Sequence, residues 1–248
     1  VKRLSIIIPA YNEEKYLPAA LSAVNKALEG TTMPGEVIVV DNNSTDRTAA
    51  IAAEYKTNIV FEPINQISRS RNTGAKNATG DYLFFVDADT VVTPSLLNKA
   101  IDNLSSGNCC GGGATVILSP PLGAPHRFGL RMWTQISVHL KLAAGCFKYC
   151  LKEAFEDVGG FSEKVYAGEE IWLSGKLRRW GKARGLNFEI IQSAPVVTSA
   201  RKLAWYGDTE LLRLTLAMVL FPIISRDRRW CRLWYERPGV NKKTGLKV

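Results

Sequence analysis

Two aspartates, Asp87 and Asp89, follow directly on the apolar run Tyr82-Leu83-Phe84-Phe85-Val86, separated by Ala88. Carboxylates two residues apart on an extended backbone point to one side, and a strand buried on both faces would fix them at a sheet edge. Mg²⁺ and Mn²⁺ are hard cations, held by one or two carboxylates together with substrate phosphates and water. Asp89 and Asp87 therefore read as metal ligands that let the cation neutralise a diphosphate. The other reading is a polar loop that caps the helix opened by Thr93-Pro94. Two more apolar runs end in polar residues: Pro9-Ala10-Tyr11-Asn12-Glu13 follows residues 4–8, and Asp41-Asn42-Asn43-Ser44 follows residues 37–40. Ligands of open α/β sheets bind beyond the carboxyl ends of the strands, so Glu13, Asp41, Asp87 and Asp89 converge on one acidic crevice.

That crevice belongs to a basic chain. Of 248 residues, 32 are Lys or Arg and 23 Asp or Glu, a net charge of +9. The excess suits an anionic partner. With 46% apolar residues a sizeable core is available, and wholesale disorder is excluded.

The elements that must position these residues are legible in the first hundred positions. Residues 4–8, 37–40, 58–61 and 82–86 are short runs, apolar on consecutive positions, as in parallel strands buried on both faces. Between them residues 13–29 carry Leu17, Ala20, Leu21 and Val24 at helical spacing. Residues 48–55 read as a second helix capped by Ser44, and 68–78 as a third. Strand alternating with helix predicts a doubly wound α/β sheet. In the second half, Gly111-Gly112-Gly113 reads as a strand end, residues 128–143 and 169–180 as helices, the latter stopped by Gly181, and Trp172 as a core residue or a stacking platform. No linker separates the halves.

Several chemistries fall away. The chain has only two histidines, His126 and His139, too few for a zinc site built on three. Its five cysteines, Cys109, Cys110, Cys146, Cys150 and Cys231, lack zinc-knuckle spacing and are expected as reduced thiols. There is no G-x-G-x-x-G after the first strand and no G-x-x-x-x-G-K-[ST], so dinucleotide and P-loop sites are excluded. The apolar run near the N-terminus is too short for a signal peptide, and no apolar run is long enough for a conventional spanning helix.

Taken in order, Ile6-Ile7-Ile8-Pro9-Ala10-Tyr11-Asn12-Glu13, Val39-Val40-Asp41-Asn42-Asn43-Ser44-Thr45-Asp46, Arg71-Asn72-Thr73-Gly74, Ala78-Thr79-Gly80-Asp81 and Phe85-Val86-Asp87-Ala88-Asp89 resemble family 2 glycosyltransferases. The resemblance continues through Phe155-Glu156-Asp157-Val158-Gly159-Gly160-Phe161 and Gly168-Glu169-Glu170. It implies a GT-A fold, a Rossmann-like, mainly parallel sheet flanked by helices, and inverting transfer from a nucleoside-diphosphate sugar with Mg²⁺ or Mn²⁺. One domain is expected, with a nucleotide-sugar-binding half over 1–105, an acceptor-binding half over 106–205 and a basic helical extension over 206–248.

Carried over residue by residue, Pro9, Ala10, Tyr11 and Glu13 would line the nucleoside pocket, and Asp41 would bond the base. Arg71 would reach toward base or phosphate, its other reading being a solvated helix face. Asp87, with Ala88 beside it, would reach toward ribose or a metal-bound water, and Asp89 would ligate the metal. The family usually carries Glu-Asp where this chain has Glu169-Glu170, so Glu170 would be the general base on a stem one methylene longer. The other reading is that both glutamates serve only the N-terminus of their helix. Arg201, in the Ser199-Ala200-Arg201-Lys202 cluster, would meet the leaving diphosphate.

The acceptor is unknown from sequence. Residues 211–224, followed by Arg226, Arg228, Arg229, Arg232 and Arg237 among Trp230, Trp234 and Tyr235, suit either an anionic membrane surface or a core helix with a solvated basic tail. A cytoplasmic location is expected, with the inner membrane face as the surface for any peripheral attachment. No nucleic-acid motif occurs, and no nucleic acid is expected as a partner. A nucleotide-sugar-binding module that has lost catalysis is the alternative, resting on the Glu-Glu replacement.

Overall fold

The computed structural model describes residues 1–121, 124–143, 145–201, 225–231 and 235, with the backbone alone for 124–126. Eight strands are β1 Leu4–Ala10, β2 Gly35–Asp41, β3 Asn58–Phe61, β4 Tyr82–Val86, β5 Thr90–Val91, β6 Cys109–Ser119, β7 Phe147–Leu151 and β8 Asn187–Ser199. Seven α-helices are α1 Leu17–Glu29, α2 Thr48–Glu54, α3 Ile67–Asn77, α4 Pro94–Ser105, α5 Ala124–Leu140, α6 Lys152–Asp157 and α7 Glu169–Lys182. The strands form one sheet in the order β3-β2-β1-β4-β7-β6-β8-β5. Strands β3, β2, β1 and β4 are mutually parallel, whereas β7 lies antiparallel to both β4 and β6. The order reverses at β1, so the crevice beyond β1 and β4 is the sheet's switch point.

Burial on both faces explains the consecutive apolar residues of β1, β2 and β4 but not those of the edge strand β3, where Ile59 and Phe61 are exposed. Leu4, Ile6, Ile8, Phe84 and Val86 pack on one side with Leu17, Leu21, Leu96 and Leu97 of α1 and α4. Ile7, Ile38, Val40, Leu83 and Phe85 pack on the other with Ala75 of α3, Phe155 of α6 and Leu173 and Leu177 of α7. Proline in the first turn starts both α1 and α4, and Thr93 caps α4 by accepting from Leu96 N–H at 3.2 Å.

Five local expectations are corrected. Helix α1 starts at Leu17 rather than 13, because residues 13–16 turn under Thr48, whose Oγ1 accepts from Glu13 N–H at 2.7 Å. Ser44 does not cap α2; its Oγ accepts from Asn12 N–H at 3.0 Å, and Asp46 accepts from Thr48 N–H at 2.9 Å instead. Gly111-Gly112-Gly113 lies inside β6, not at its end. A Cβ on Gly112 would collide with the Glu189 carbonyl and the Tyr149 ring, so the missing side chain is what lets β7 and β8 close on β6. Helix α7 runs through Gly181 to Lys182, and Trp172 is 51% exposed rather than in the core. The five cysteines are free and buried. Residues 202–224 lie outside the described residues, so the expectation for 211–224 is not met by any observation there. Among the described residues no helix is long and apolar enough to cross a membrane.

Candidate active site

The exits of β1 and β2 are laced together. Asn12, at φ 51°, accepts from Thr45 N–H through Oδ1 at 2.7 Å, and Asn42 N–H reaches the Ala10 carbonyl at 2.8 Å. Pro9 and Ala10 are the last residues of β1, paired with Val40 and Asp41 of β2. Tyr11 is half-buried where the strand leaves the sheet. Asp41 is 8% exposed and accepts from Ser44 N–H at 3.0 Å. Asn42, one of the polar residues at the exit of β2, braces the neighbouring loop, donating to the Glu62 and Ile64 carbonyls at 2.9 and 2.7 Å.

Asp87 and Asp89 occupy a turn rather than an extended segment, with Thr90 N–H bonded to the Asp87 carbonyl at 3.0 Å. The expectation of two carboxylates aligned by strand pleating is therefore corrected: the turn sends each to a different arginine. Asp87 Oδ1 accepts from Arg71 Nη2 at 2.8 Å. Asp89 Oδ2 lies 3.1 Å from Arg201 Nε, and Thr198 Oγ1 donates to Asp89 Oδ1 at 3.4 Å. Ala88 between them is buried.

Arg71 is not on a solvated helix face. It is 1% exposed, and besides Asp87 it holds Glu169 Oε1 through Nη1 at 2.6 Å and the Gly145 carbonyl through Nη2 at 2.9 Å. Burial works to discharge this guanidinium, but Asp87 and Glu169 outweigh it and hold its pKa above the ordinary arginine value. Burial, with Glu170 next in sequence, pushes the Glu169 carboxyl upward. A triad of this kind is costly to break from one side, because the remaining charge is left buried.

Glu170 lies one residue further along the first turn of α7 and is half-buried. Its Oε1 packs against Gly145: a Cβ added there would lie 3.3 Å from it. The two adjacent glutamates thus differ in place, one sealed against Arg71 and one half-buried beside Gly145. Sequence reasoning assigned nothing to Lys148, which is 3% exposed in mid-β7 and donates to the same Gly145 carbonyl at 3.3 Å. Its signal was a lone cation inside Cys146-Phe147-Lys148-Tyr149-Cys150.

Arg201 completes the other wall. Its Nη2 meets Glu13 Oε1 at 2.6 Å and its guanidinium stacks over the Tyr16 ring at 4.1 Å. Lys202, next to it, lies outside the described residues. Glu13, Asp89 and Arg201 are thereby brought together, as are Arg71, Asp87 and, through Glu169, the start of α7.

The donor chemistry fits a hard divalent cation, since Asp87 and Asp89, each also engaged by an arginine, are carboxylate oxygen donors on one turn. Among the described residues no group of three or more His, Cys, Asp or Glu side chains is placed to hold a metal. A cation here would complete its shell with ligand phosphates and water, as Mg²⁺ and Mn²⁺ commonly do.

Comparison with known proteins agrees with this architecture. The model of glycosyl transferase family 2 matches residues 5–159. The chain is 30% identical over 249 residues to the glycosyltransferase AglE of Haloferax volcanii, covering 90% of this chain and 80% of that one. The mannosyltransferase PcManGT from Pyrobaculum calidifontis, solved with GDP-Man and Mn²⁺, superposes with a TM-score of 0.63 at 20% identity, over 93% of this chain and 64% of that chain. S. aureus TarS 1–349 in complex with UDP-GlcNAc gives a TM-score of 0.64 at 19% identity, over 90% of this chain and 66% of that chain. The two structures share the GT-A fold of this chain, and it spans less than two thirds of each. With the family pattern running from β1 past α6 on that sheet, the chain belongs to glycosyl transferase family 2 and is a glycosyltransferase.

Proposed function

We propose that the enzyme moves a sugar from a nucleoside-diphosphate sugar to a hydroxyl or phosphate acceptor with inversion, in a reaction that needs Mg²⁺ or Mn²⁺. One observation carries the reading. Arg71 ties Asp87 to Glu169 at 2.8 and 2.6 Å, which leaves the next residue, Glu170, half-buried beside Gly145, as the carboxylate for proton transfer.

The strand exits supply the donor side. Pro9, Ala10, Tyr11 and Glu13 line the nucleoside pocket and Asp41 bonds the base. Asp87, flanked by Ala88 and oriented by Arg71, reaches toward ribose, and Asp89 and Asp87 hold the cation. When bound, the cation is a Lewis acid for the charge that grows on the leaving diphosphate. Arg201 stands next to Asp89, so its guanidinium adds fixed positive charge on the same side. Glu170 accepts the acceptor's hydroxyl proton as its oxygen bonds to the anomeric carbon, and the bonding pair of the broken anomeric C–O bond leaves with the diphosphate. A glutamate serves in this role where an aspartate is usual, because reach is set by one hydrogen bond. In this reading residues 1–105 carry the donor and 106–205 the acceptor within one domain, and most of the 206–248 extension lies outside the described residues.

The support from neighbours is that one binds GDP-Man with Mn²⁺ and another UDP-GlcNAc. Their donors differ in base and in sugar, so the donor must be found by experiment. A thermal-shift screen of UDP-, GDP- and dTDP-sugars, with and without Mn²⁺, tests the proposal. Stabilisation by one donor class only when Mn²⁺ is present is expected; no shift with any of them would refute it.

A further inference from the structure

Helix α5 carries a feature that glycosyl transfer does not use. Phe128, Met132, Ile136 and Leu140 fall at every fourth residue and are 66, 50, 42 and 54% exposed. Side chains four apart share a helix face, so they form one apolar stripe about 18 Å long at 1.5 Å per residue. The opposite face is the one that packs: Ser137 is buried, and Val138 lies against the second core cluster. An apolar stripe of this length left in solvent marks an interaction surface.

Its electrostatic setting selects the partner. No Asp or Glu occurs between Asp102 and Glu153, whereas Arg127 and Arg131 lie on α5 and Lys141 directly follows it. At the C-terminal end of the stripe, Arg178 of α7 donates to the Leu140 carbonyl. There the helix meets a cleft of about 720 Å³ lined by Lys141, Arg178, Arg179 and Lys182. Lys141 also faces Glu189 at 3.4 Å, while Arg178, Arg179 and Lys182 project from the exposed side of α7. A second copy of the chain docked by two-fold symmetry would set this patch against itself, cation against cation. An anionic bilayer meets both parts: its acyl boundary takes the stripe and its headgroups take the cations.

We propose that α5 lies in the surface of an anionic phospholipid bilayer, with the Lys141–Arg178–Arg179–Lys182 cleft seated on the headgroups. This places the membrane contact on α5 and α7, elements separate from the basic 226–237 segment. It does not depend on the reaction proposed above, and its test reads vesicle binding rather than transfer.

The test is sedimentation of the full chain with phosphatidylglycerol–phosphatidylcholine vesicles, compared with phosphatidylcholine alone, at low and high salt. Binding is expected only with phosphatidylglycerol, weakening as salt rises. The doubles Met132→Glu/Ile136→Glu and Arg179→Gln/Lys182→Gln should each lose at least about tenfold in binding with unchanged Tm. If the glutamate pair melts early, Met132→Ser/Ile136→Ser is read by the same criterion. Three results would overturn the proposal: no binding of the parent chain at low salt, unaltered binding by the stripe variants, or a solution dimer that those variants dissociate.

Discussion

Arg201 Nε stands 3.1 Å from Asp89 Oδ2, while Nη2 of the same guanidinium meets Glu13 at 2.6 Å. The first contact is charge pairing without hydrogen-bond alignment at Nε; the second is a directed hydrogen bond. One side chain therefore joins the exits of β1, β4 and β8, and it rests on the carboxylate assigned to the cation. Burial opposes its charge, but Glu13 and then Asp89 outweigh that and hold the Arg201 guanidinium above its ordinary pKa. It stays a cation in any buffer the protein survives.

Asp89→Asn follows from this arrangement. The variant keeps the side chain's size and leaves Arg201 its stronger partner, Glu13, so the fold should survive. Metal-dependent turnover should fall on the order of a thousandfold, since Lewis-acid stabilisation of the departing charge is worth several kcal/mol. Manganese titration by electron paramagnetic resonance in the presence of donor is the second readout, and retention of tight Mn²⁺ binding would remove Asp89 as ligand.

The two glutamates that begin α7 should separate cleanly on mutation. Glu170→Gln should bind donor normally and lose about 10²–10⁴-fold in kcat, the usual worth of a positioned general base. Glu169→Gln should instead act on stability, because it leaves the fully buried Arg71 short of one counter-charge. A cost of about 3 kcal/mol, or about 6–12 °C in Tm, is expected. Equal losses of Tm in both variants would contradict the division of labour.

Much of this was legible in the residues and some was not, for identifiable reasons. Strands β1, β2 and β4 could be read because burial on both faces demands consecutive apolar side chains, and the polar residues after them marked the crevice. Strand β6 could not, because Gly112 is there to admit Tyr149 and β8, and a run of glycines looks like a strand end. The partners of Asp87 and Asp89 were equally hidden: a turn replaces the pleat, and Arg201 is reached only through the long strand β8. Lys148 announced itself as a lone charge in an apolar run, yet only the geometry shows which carbonyl it meets.

Gly145→Ala isolates geometry from chemistry. The added Cβ would sit 3.3 Å from Glu170 Oε1 and 4.0 Å from Arg71 Nη2, so the carboxylate must move a few tenths of an ångström. No charge is lost and no hydrogen bond is deleted. A fall of about tenfold in kcat with little change in donor affinity is expected, smaller than the ~10²-fold of a 1 Å misplacement. Unaltered kcat would mean that the reacting proton does not pass to Glu170.

Lys148 gives the enzyme a pH signature of known sign. Burial, and then the nearby Arg71 charge, lower its pKa from 10.5 to about 8, although Glu170, Glu169 and Asp87 pull the other way. Between those two values the unfolded chain holds a proton that the folded chain does not, so this residue's contribution to stability rises with pH across the window. Below about pH 8 it is charged in both states and carries its full desolvation cost. Lys148→Met removes that cost and the dependence with it. Melting curves from pH 7 to above pH 10 should therefore show the parent gaining on Lys148→Met as pH rises. A constant difference across the range would show that Lys148 keeps its proton in the fold, held by the carboxylates of α7.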